Sequence, residues 1–170
     1  MNLLMAGTPL AMGLRGLPYA AAAGVISAHV IAMFGPSFFT GSLIQRIGVL
    51  NVMLAGIVIM VACVAVGLSG QRHAHFWWAL VLLGLGWNFM YVGGTTLLTE
   101  AYRPAEKART QGVNEIIVFG TTAACSFASG VLVNSAGWNT LNHLALPFIA
   151  LAGAATLWLA LSRRVVAAAA

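Results

Sequence analysis

Charged residues are scarce in this chain of 170 residues, because Asp, Glu, Lys and Arg together make up only 6% of it. Soluble domains carry about a quarter charged residues, so a water-soluble fold cannot be covered with so few. With 61% hydrophobic residues and a mean hydropathy of +0.93, the composition predicts that lipid is the solvent for most of the surface. Paired carboxylates, a metal-ligand cluster, a phosphate-binding loop and a nucleophile triad are also missing from the sequence, so it offers no case for an enzyme or for a cofactor.

The sequence contains only two cysteines and no cluster of basic residues. The two cysteines, Cys63 and Cys125, lie inside apolar segments and are interpreted as small buried side chains, not as a disulfide or a metal pair. Eight basic and three acidic residues give a net charge of +5, but the basic residues are scattered in short connectors. Without a basic patch, nucleic acid is not an expected partner, and the pattern is typical of loops that orient a membrane protein. A basic region followed by a cleavage site is not found at the start, so no signal peptide is predicted.

Long apolar segments are what the sequence does contain. A membrane-spanning helix needs about 20 apolar residues, and the segments that reach this length are 20–43, 49–68, 76–99, 112–132 and 143–161. A chain in lipid must satisfy its backbone within each span, so we expect all of these segments to be helices. The predicted fold class is an all-α membrane protein, a polytopic transmembrane helix bundle over residues 1–164 with a short tail at 165–170.

The apolar segment at 2–12 is too short to span, since about 1.5 Å per residue covers only about half of a hydrocarbon core. Arg15 and Pro18 end this segment. The prediction is therefore five full spans preceded by a partial helix, interpreted as the second half of a spanning helix whose first half is missing.

Basic residues in the connectors set the predicted orientation. Two of them, Arg15 and Arg72, lie on one side of the five spans. The other side carries Arg46, Arg103, Lys107, Arg109, Arg163 and Arg164. Cytoplasmic loops carry the excess of Lys and Arg, so the sequence predicts a multi-pass protein of the cell membrane, the inner membrane in bacteria, with a cytoplasmic carboxy-terminus.

Polar or irregular residues recur on one face of three spans, in steps of three and four that bring them together on a helix. These faces are His29, Met33, Pro36 and Thr40 in the first span, Asn88, Tyr91, Thr95 and Thr99 in the third, and Glu115, Thr122, Ser126 and Ser129 in the fourth, with Asn114 beside the last. The second and fifth spans are almost uniformly apolar. We therefore expect three inner helices around a polar space and two outer helices against lipid. For any single Ser or Thr, a hydrogen bond between helices is the alternative.

Two loops resemble signatures of one transporter family. The stretch Gly41-Ser-Leu-Ile-Gln-Arg-Ile-Gly48 resembles the Gly-x-Leu-x-Asp-Arg-x-Gly loop of the major facilitator superfamily, although Gln45 stands where the family usually has Asp. The stretch from Thr99 to Gly112 resembles the Glu-x-x-Pro-x-x-x-Arg element of the same family. In the family, the first element lies between the second and third helix of each half, and the second lies between the fourth and fifth. The two stretches have the matching positions among the predicted spans.

The resemblance implies the carboxy-terminal half of a twelve-helix transporter, with 2–12 as the end of helix seven and the five spans as helices eight to twelve. Members of this family move small solutes by alternating access, in which two six-helix halves rock around a central site. The resemblance also implies a cytoplasmic gating latch built from Gly41, Arg46, Gly48, Glu100 and Arg109. Ordinary anchoring of the charged side chains at the membrane surface is the alternative.

Glu115 is the one acidic residue well inside a span. A carboxylate there is costly unless it is paired, protonated or hydrated, so Glu115 is a candidate for proton coupling or for substrate contact, with a structural hydrogen bond as the alternative. His29 is a second candidate because an imidazole titrates near neutral pH, although a neutral histidine bonded to a neighbouring backbone is more common.

The other candidates for the substrate and proton pathway are Trp87, Asn88, Tyr91 and Asn114. Hydrogen bonding and ring stacking would let the first three contact a solute, and helix packing is the alternative. The predicted function is secondary active transport of a small solute by alternating access, with proton coupling through Glu115 or His29. Expected partners are membrane lipid, the solute, and a missing amino-terminal half or another chain. The alternative is a non-transporting half-size membrane subunit or an inactive fragment with a structural role.

Overall fold

The fold is α-helical throughout the part of the chain that the computed structural model describes, which is residues 1–169, with side chains described to residue 163. Its elements are α1 (Asn2–Leu14), α2 (Tyr19–Phe34), α3 (Ser37–Ile47), α4 (Val49–Ser69), α5 (His73–Ala101), a 3-10 turn (Pro104–Glu106) and α6 (Lys107–Ala169). The predicted all-α helix bundle is confirmed. Of the predicted tail at 165–170, residues 165–169 continue α6, and Ala170 lies outside the described residues.

The long element α6 consists of two helices that meet at Gly137. This glycine has φ 79° and ψ 173°, a backbone conformation that residues with a Cβ resist. In a straight helix, positions 129 and 141 would lie about 18 Å apart. A Cβ placed on Gly7 would nevertheless lie 2.5 Å from Leu141 and 2.8 Å from Ser129. The chain therefore turns back at Gly137, and α6 has a first arm (107–136) and a second arm (138–169) that run in opposite directions.

The first predicted span is interrupted in its middle. Pro36 carries no amide hydrogen and disfavours a helical residue before it, so α2 ends at Phe34 and α3 begins at Ser37. Gly35 and Pro36 keep φ values of −54° and −64°, which are close to helical. The interruption is therefore a break within one crossing, and the reversal into α4 comes later, at Gly48 with φ 87°.

Four helical segments are long and apolar enough to cross a membrane: Tyr19–Ile47, Val49–Ser69, His73–Ala101 and Pro104–Arg163. The last one contains the reversal at Gly137 and therefore supplies two crossings, which gives the five that the sequence predicts. Large apolar side chains stay exposed on these segments, including Phe38 at 86% and Phe127 at 82%. Apolar surface of this extent is expected to face lipid or a protein partner.

The crossings are buried to different extents. α5 is the most buried, with 44% of its most apolar stretch inside the bundle. The predicted division into inner and outer helices concerns a polar space and lipid, and it stays a prediction. The share of the most apolar stretch that is buried within the chain is 28% for α4 and only 17% for the α2–α3 crossing. The reason is that α2 buries a narrow stripe consisting of Ala22, Val25 and His29, while its remaining faces are apolar and open.

The reversal at Gly137 is fixed to α4 by a tryptophan. The Nε1–H of Trp138 donates a hydrogen bond of 2.9 Å to the carbonyl of Gly67, one of the last α4 carbonyls, which have no partner within their own helix. Phe76 meets the Trp138 ring edge-on, with ring centroids 5.1 Å apart. Asn142 lies against the same glycine and donates to the Trp138 carbonyl at 3.0 Å. These contacts join the second arm of α6 to α4 and α5.

We expect Gly67→Ala to destabilise the protein, because the added methyl group would lie 2.5 Å from the Asn142 Oδ1 atom. Overpacking of a close contact typically costs about 1–3 kcal/mol. The thermal midpoint of the full-length protein in detergent, followed by size-exclusion chromatography, measures this loss. Gly94→Ala is the matched control, since a Cβ at Gly94 meets nothing within 4 Å. Equal midpoints for the two variants would contradict the proposed contact.

Candidate functional site

Asn88 of α5 binds both sides of the break in the first crossing. Its Nδ2 atom donates to the carbonyl of Met33 at 2.9 Å and to the hydroxyl of Ser37 at 2.6 Å. Its Oδ1 atom accepts a hydrogen bond of 2.6 Å from Thr40. Asn88 is only 1% exposed, and both ends of its amide are bonded within the protein. The geometry thus gives Asn88 a structural role, and the predicted solute contact stays a prediction.

His29 is fully buried between α2 and α5. Its Nδ1 atom lies 2.8 Å from the carbonyl oxygen of Leu80. A carbonyl can only accept, so the hydrogen bond assigns a proton to Nδ1. Nε2 has no hydrogen-bond partner among the described residues. This arrangement matches the alternative given for His29, a histidine bonded to a neighbouring backbone, and its predicted part in proton coupling stays untested.

Trp87 and Tyr91 form a stacked pair on α5. Their ring centroids are 4.6 Å apart and their planes differ by 14°. Both side chains are half-buried, in contrast to the neighbouring Asn88. One turn further along, the Thr95 hydroxyl is bonded to carbonyls of its own helix. On α5, Asn88 is therefore buried and hydrogen-bonded, whereas the rings of Trp87 and Tyr91 are partly exposed.

Glu115 lies in the first arm of α6 and is half-buried. No ion pair links it to any side chain in residues 1–163. It shares a helix face with Thr122, about 10 Å further along. Asn2, at the start of α1, donates to the Thr122 carbonyl at 2.9 Å and also contacts the Ser126 hydroxyl. Glu115 thus lies on the face of α6 along which α1 begins, and His29 has no hydrogen bond or ion pair to it.

Asn114 and Arg109 line one cavity of about 500 Å³. It lies between the end of α5, where Tyr102 contributes, and the first arm of α6, where Val113 contributes. The Tyr102 hydroxyl accepts a hydrogen bond of 2.9 Å from Gln111. The structure therefore places a predicted pathway residue and a predicted latch residue at the same opening.

The residues of the predicted latch lie at the surface. Glu100 forms an ion pair of 2.8 Å with Arg163, and both side chains are about half exposed. Arg46 and Arg109 are exposed and make no ion pair with the side chains of residues 1–163. Gly41 and Gly48 flank Arg46 and are also exposed. The predicted grouping around Glu100 is thus not formed as ion pairs in this conformation, because the second arm of α6 returns beside the end of α5 and supplies Arg163 instead.

Two contributing residues were missed by sequence reasoning. Ser37 belongs to none of the sites predicted from the sequence, since its partner Asn88 lies 51 positions away. For Arg163, the sequence predicts only a part in membrane orientation. It lies 63 positions from Glu100, and no local pattern reports a contact over that separation. Over the described side chains, no group of three His, Cys, Asp or Glu residues is arranged to hold a metal ion.

Together, the apolar crossings, the exposed hydrophobic surface and the side-chain hydrogen bonds to helix carbonyls define a multi-pass α-helical membrane protein. The sequence profile described as Major Facilitator Superfamily matches residues 1–169. The chain belongs to this family of transporters. No solved structure gives a significant match.

Several curated proteins are similar in sequence. "Riboflavin transporter RfnT" of Brucella anthropi is 44% identical over 151 residues, which are 89% of this chain and 38% of that protein. Two Bacillus subtilis proteins named as uncharacterized MFS-type transporters, YdeG and YddS, are 31% and 32% identical over 82% and 84% of this chain. Each match covers 33% of the Bacillus protein. The chain thus spans about a third of the length of the curated relatives it matches.

We expect Asn88→Ala to destabilise the full-length protein, because it removes the hydrogen bonds to the Met33 carbonyl and the Ser37 hydroxyl. Thr40 keeps its bond of 2.8 Å to the Pro36 carbonyl. Unsatisfied buried groups typically cost about 1–3 kcal/mol each. Asn134→Ala is the matched control, since that exposed amide bonds only the Gly130 carbonyl of its own helix. Thermal midpoints in detergent measure both effects. If Asn88→Ala melts like the control, the hydrogen bonds of Asn88 do not stabilise the bundle.

Proposed function

We propose that this chain is the carboxy-terminal half of a secondary transporter that moves a small organic solute across a membrane by alternating access. The observation that carries the proposal is the family match over residues 1–169, together with 44% identity to a protein named as a riboflavin transporter. The helical architecture agrees with it, because five crossings preceded by the shorter α1 correspond to the helix order of a six-helix half.

A second half is part of the proposal. Alternating access needs two units that rock around a central site, and this chain spans about a third of its relatives. Large apolar side chains such as Phe39, Ile116 and Phe119 are between 68% and 74% exposed. Lipid and the amino-terminal half would share the task of covering this surface. Arg46 in the last turn of α3 and the three basic residues between 103 and 109 support a cytoplasmic location for these ends and for the carboxy-terminus, in a bacterial inner membrane.

The experiment that tests the proposal is uptake into proteoliposomes. The full-length gene product containing this chain is reconstituted and given riboflavin as the first solute, with and without an inward proton gradient. Uptake that exceeds that of empty liposomes supports the proposal. A full-length product that folds but moves neither riboflavin nor any solute of a broad panel would favour the alternative, a membrane protein with a structural role.

We propose that Glu100 is the mobile member of a cytoplasmic latch. In this conformation it pairs with Arg163, while Arg46 and Arg109 are the further cations that the family loops carry. An exposed ion pair contributes only about 0–1 kcal/mol to stability, which suits a contact that must break in each transport cycle.

Glu100→Gln should therefore lower the uptake rate severalfold and leave the thermal midpoint almost unchanged. The charge-exchanged double variant, Glu100→Arg with Arg163→Glu, is the control that separates this pair from other partners of Glu100. If the exchange restores the rate, Arg163 is the functional partner. An uptake rate unaffected by Glu100→Gln would remove Glu100 from the latch.

We propose that Glu115 couples transport to protons. An unpaired carboxylate inside a span is stable when it is protonated or hydrated, and Glu115 is half-buried without an ion pair among the described side chains. Exchange of one proton per cycle between these states would link solute movement to the proton gradient.

Glu115→Gln should abolish uptake driven by a proton gradient while the protein still folds and still exchanges labelled solute at equilibrium. Exchange at equilibrium needs no net proton movement, so it separates lost coupling from lost binding. Glu106→Gln is the control, because that exposed acid bonds only the backbone of Arg103 within the described residues. Unchanged uptake and unchanged pH dependence in Glu115→Gln would exclude this role.

A further inference from the structure

The cavity between the end of α5 and the first arm of α6 has a volume of about 500 Å³. Arg109, Val113 and Ile117 line it from α6, and their spacing of four positions places them on one face of that helix. Glu115 lies about 160° around the helix from Val113, on the face toward α1. The cavity is therefore separate from the face that carries the proposed proton-coupling residue.

This cavity is polar at one end and apolar at the other. Arg109 and Tyr102 lie at the end next to the charged connector 102–106, whereas Leu98, Val113 and Ile117 line the part that lies between the apolar crossings. Arg109 and Ile117 are about 12 Å apart along α6. A charged connector between two apolar crossings lies at a membrane surface, so the cavity runs from that surface into the hydrocarbon region. A molecule that fills it needs a polar head and an apolar body.

The charges at the polar end favour an anionic head. Arg103, Lys107 and Arg109 are exposed and form no ion pair with the side chains of residues 1–163. The acid Glu106 also lines the cavity, but its carboxylate accepts a hydrogen bond of 3.2 Å from the Arg103 amide. Three basic residues against one acid leave an excess of positive charge. Arg109 is the cation that lines the cavity itself, and a guanidinium can donate to two oxygens of one phosphate.

The two walls of the cavity are joined by a single side-chain hydrogen bond in the part of the chain that the structure describes. It runs from Gln111 to the Tyr102 hydroxyl over 2.9 Å. Val113 and Ile117 on the facing wall are 52% and 61% exposed. Empty space beside apolar side chains forfeits van der Waals contacts, and within a bilayer the acyl chains of lipids are available to fill such space.

We propose that this cavity binds one anionic phospholipid, with its phosphate at Arg109 and an acyl chain along Val113 and Ile117. Anionic lipids are attracted to basic segments next to a membrane crossing, and the apolar wall selects a lipid over a soluble phosphate ester. The bound lipid then joins the end of α5 to the first arm of α6. The inference needs a membrane-embedded protein and goes beyond the proposed transport function.

The test is the thermal midpoint of the full-length protein in detergent, titrated with three probes. These are dioleoyl phosphatidylglycerol, dioleoyl phosphatidylcholine, and glycerophosphoglycerol, which is the head of the first lipid without its chains. A ligand that binds only the folded protein raises the midpoint in a saturable way. Phosphatidylglycerol should do so. Phosphatidylcholine should not, because its cationic choline group meets an excess of basic residues, and the soluble head should not at the same concentration.

Matched variants locate the site, each compared with its own midpoint without lipid. Arg109→Gln should weaken phosphatidylglycerol binding about tenfold, the loss expected for a charge-assisted phosphate contact. Lys107→Gln removes the same charge two positions away, outside the cavity lining, and should weaken binding much less. Ile117→Asn should weaken binding severalfold because it makes the apolar wall polar. Its control is Ile116→Asn, since Ile116 is 73% exposed and does not line the cavity.

A second measurement does not depend on thermal stability. Native mass spectrometry counts the lipid molecules that stay on the protein after it is released from detergent containing phosphatidylglycerol. The parent protein should retain one more phosphatidylglycerol molecule than Arg109→Gln, and Lys107→Gln should retain as many as the parent.

Four results would overturn the inference. They are no saturable effect of phosphatidylglycerol, an equal effect of phosphatidylcholine, an equal effect of glycerophosphoglycerol, and equal losses within either matched pair of variants. An absent effect would mean that another part of the full-length protein covers the cavity. None of these measurements uses solute uptake, so the lipid site stands or fails independently of the transport proposal.

Discussion

The structure depends on one constraint: where the surroundings hold no water, each backbone amide and carbonyl needs a partner within the protein. Uninterrupted helices meet this need by themselves, but α2 and α4 end with carbonyls that lack an intrahelical partner. A side chain from a distant part of the chain serves each end. Asn88 donates to Met33 at the Gly-Pro break, and Trp138 donates to Gly67 beside the reversal at Gly137. The side chains that satisfy these carbonyls come from other helices, so each interruption of a helix is also the place of a tertiary contact.

α5 is the helix on which these requirements converge. Its Asn88 donates to Met33 at the break in the first crossing, and its Gly86 lies close to α4. Its Leu80 carbonyl accepts a hydrogen bond from His29. Asn88 and the Leu80 carbonyl face the α2–α3 crossing and Gly86 faces α4, so neighbouring helices hold two sides of α5. The side that is left carries Trp87 and Tyr91. The contacts on the other sides of α5 therefore also limit the movement of the side that carries the two rings.

Much of this could be predicted from the sequence, and the limits have physical reasons. Apolar length and the two loop signatures are local patterns, so the crossings and the family followed from them. The small buried share of the α2–α3 crossing was not predictable, since a polar stripe shows which face avoids lipid and not how many neighbours within the chain cover it. The pairing of Glu100 with Arg163 joins positions far apart in the chain. Only the reversal at Gly137 brings them together, and no periodicity reports it.

The polar residues of the predicted pathway differ in one property that the sequence does not contain, namely whether their hydrogen-bonding capacity is already used. The amide of Asn88 is bonded at both ends and the Nδ1 atom of His29 is bonded to Leu80, and both side chains are closed to solvent. Glu115 and the Trp87–Tyr91 pair lie on similar helical stripes yet are half-buried, and Glu115 has no ion pair among the described side chains. A group that already has its partners holds the bundle together. A group that is open and incompletely partnered has capacity left for a proton or a solute. Membrane depth alone therefore does not mark a transport residue, and unused bonding capacity at that depth is the stronger indication.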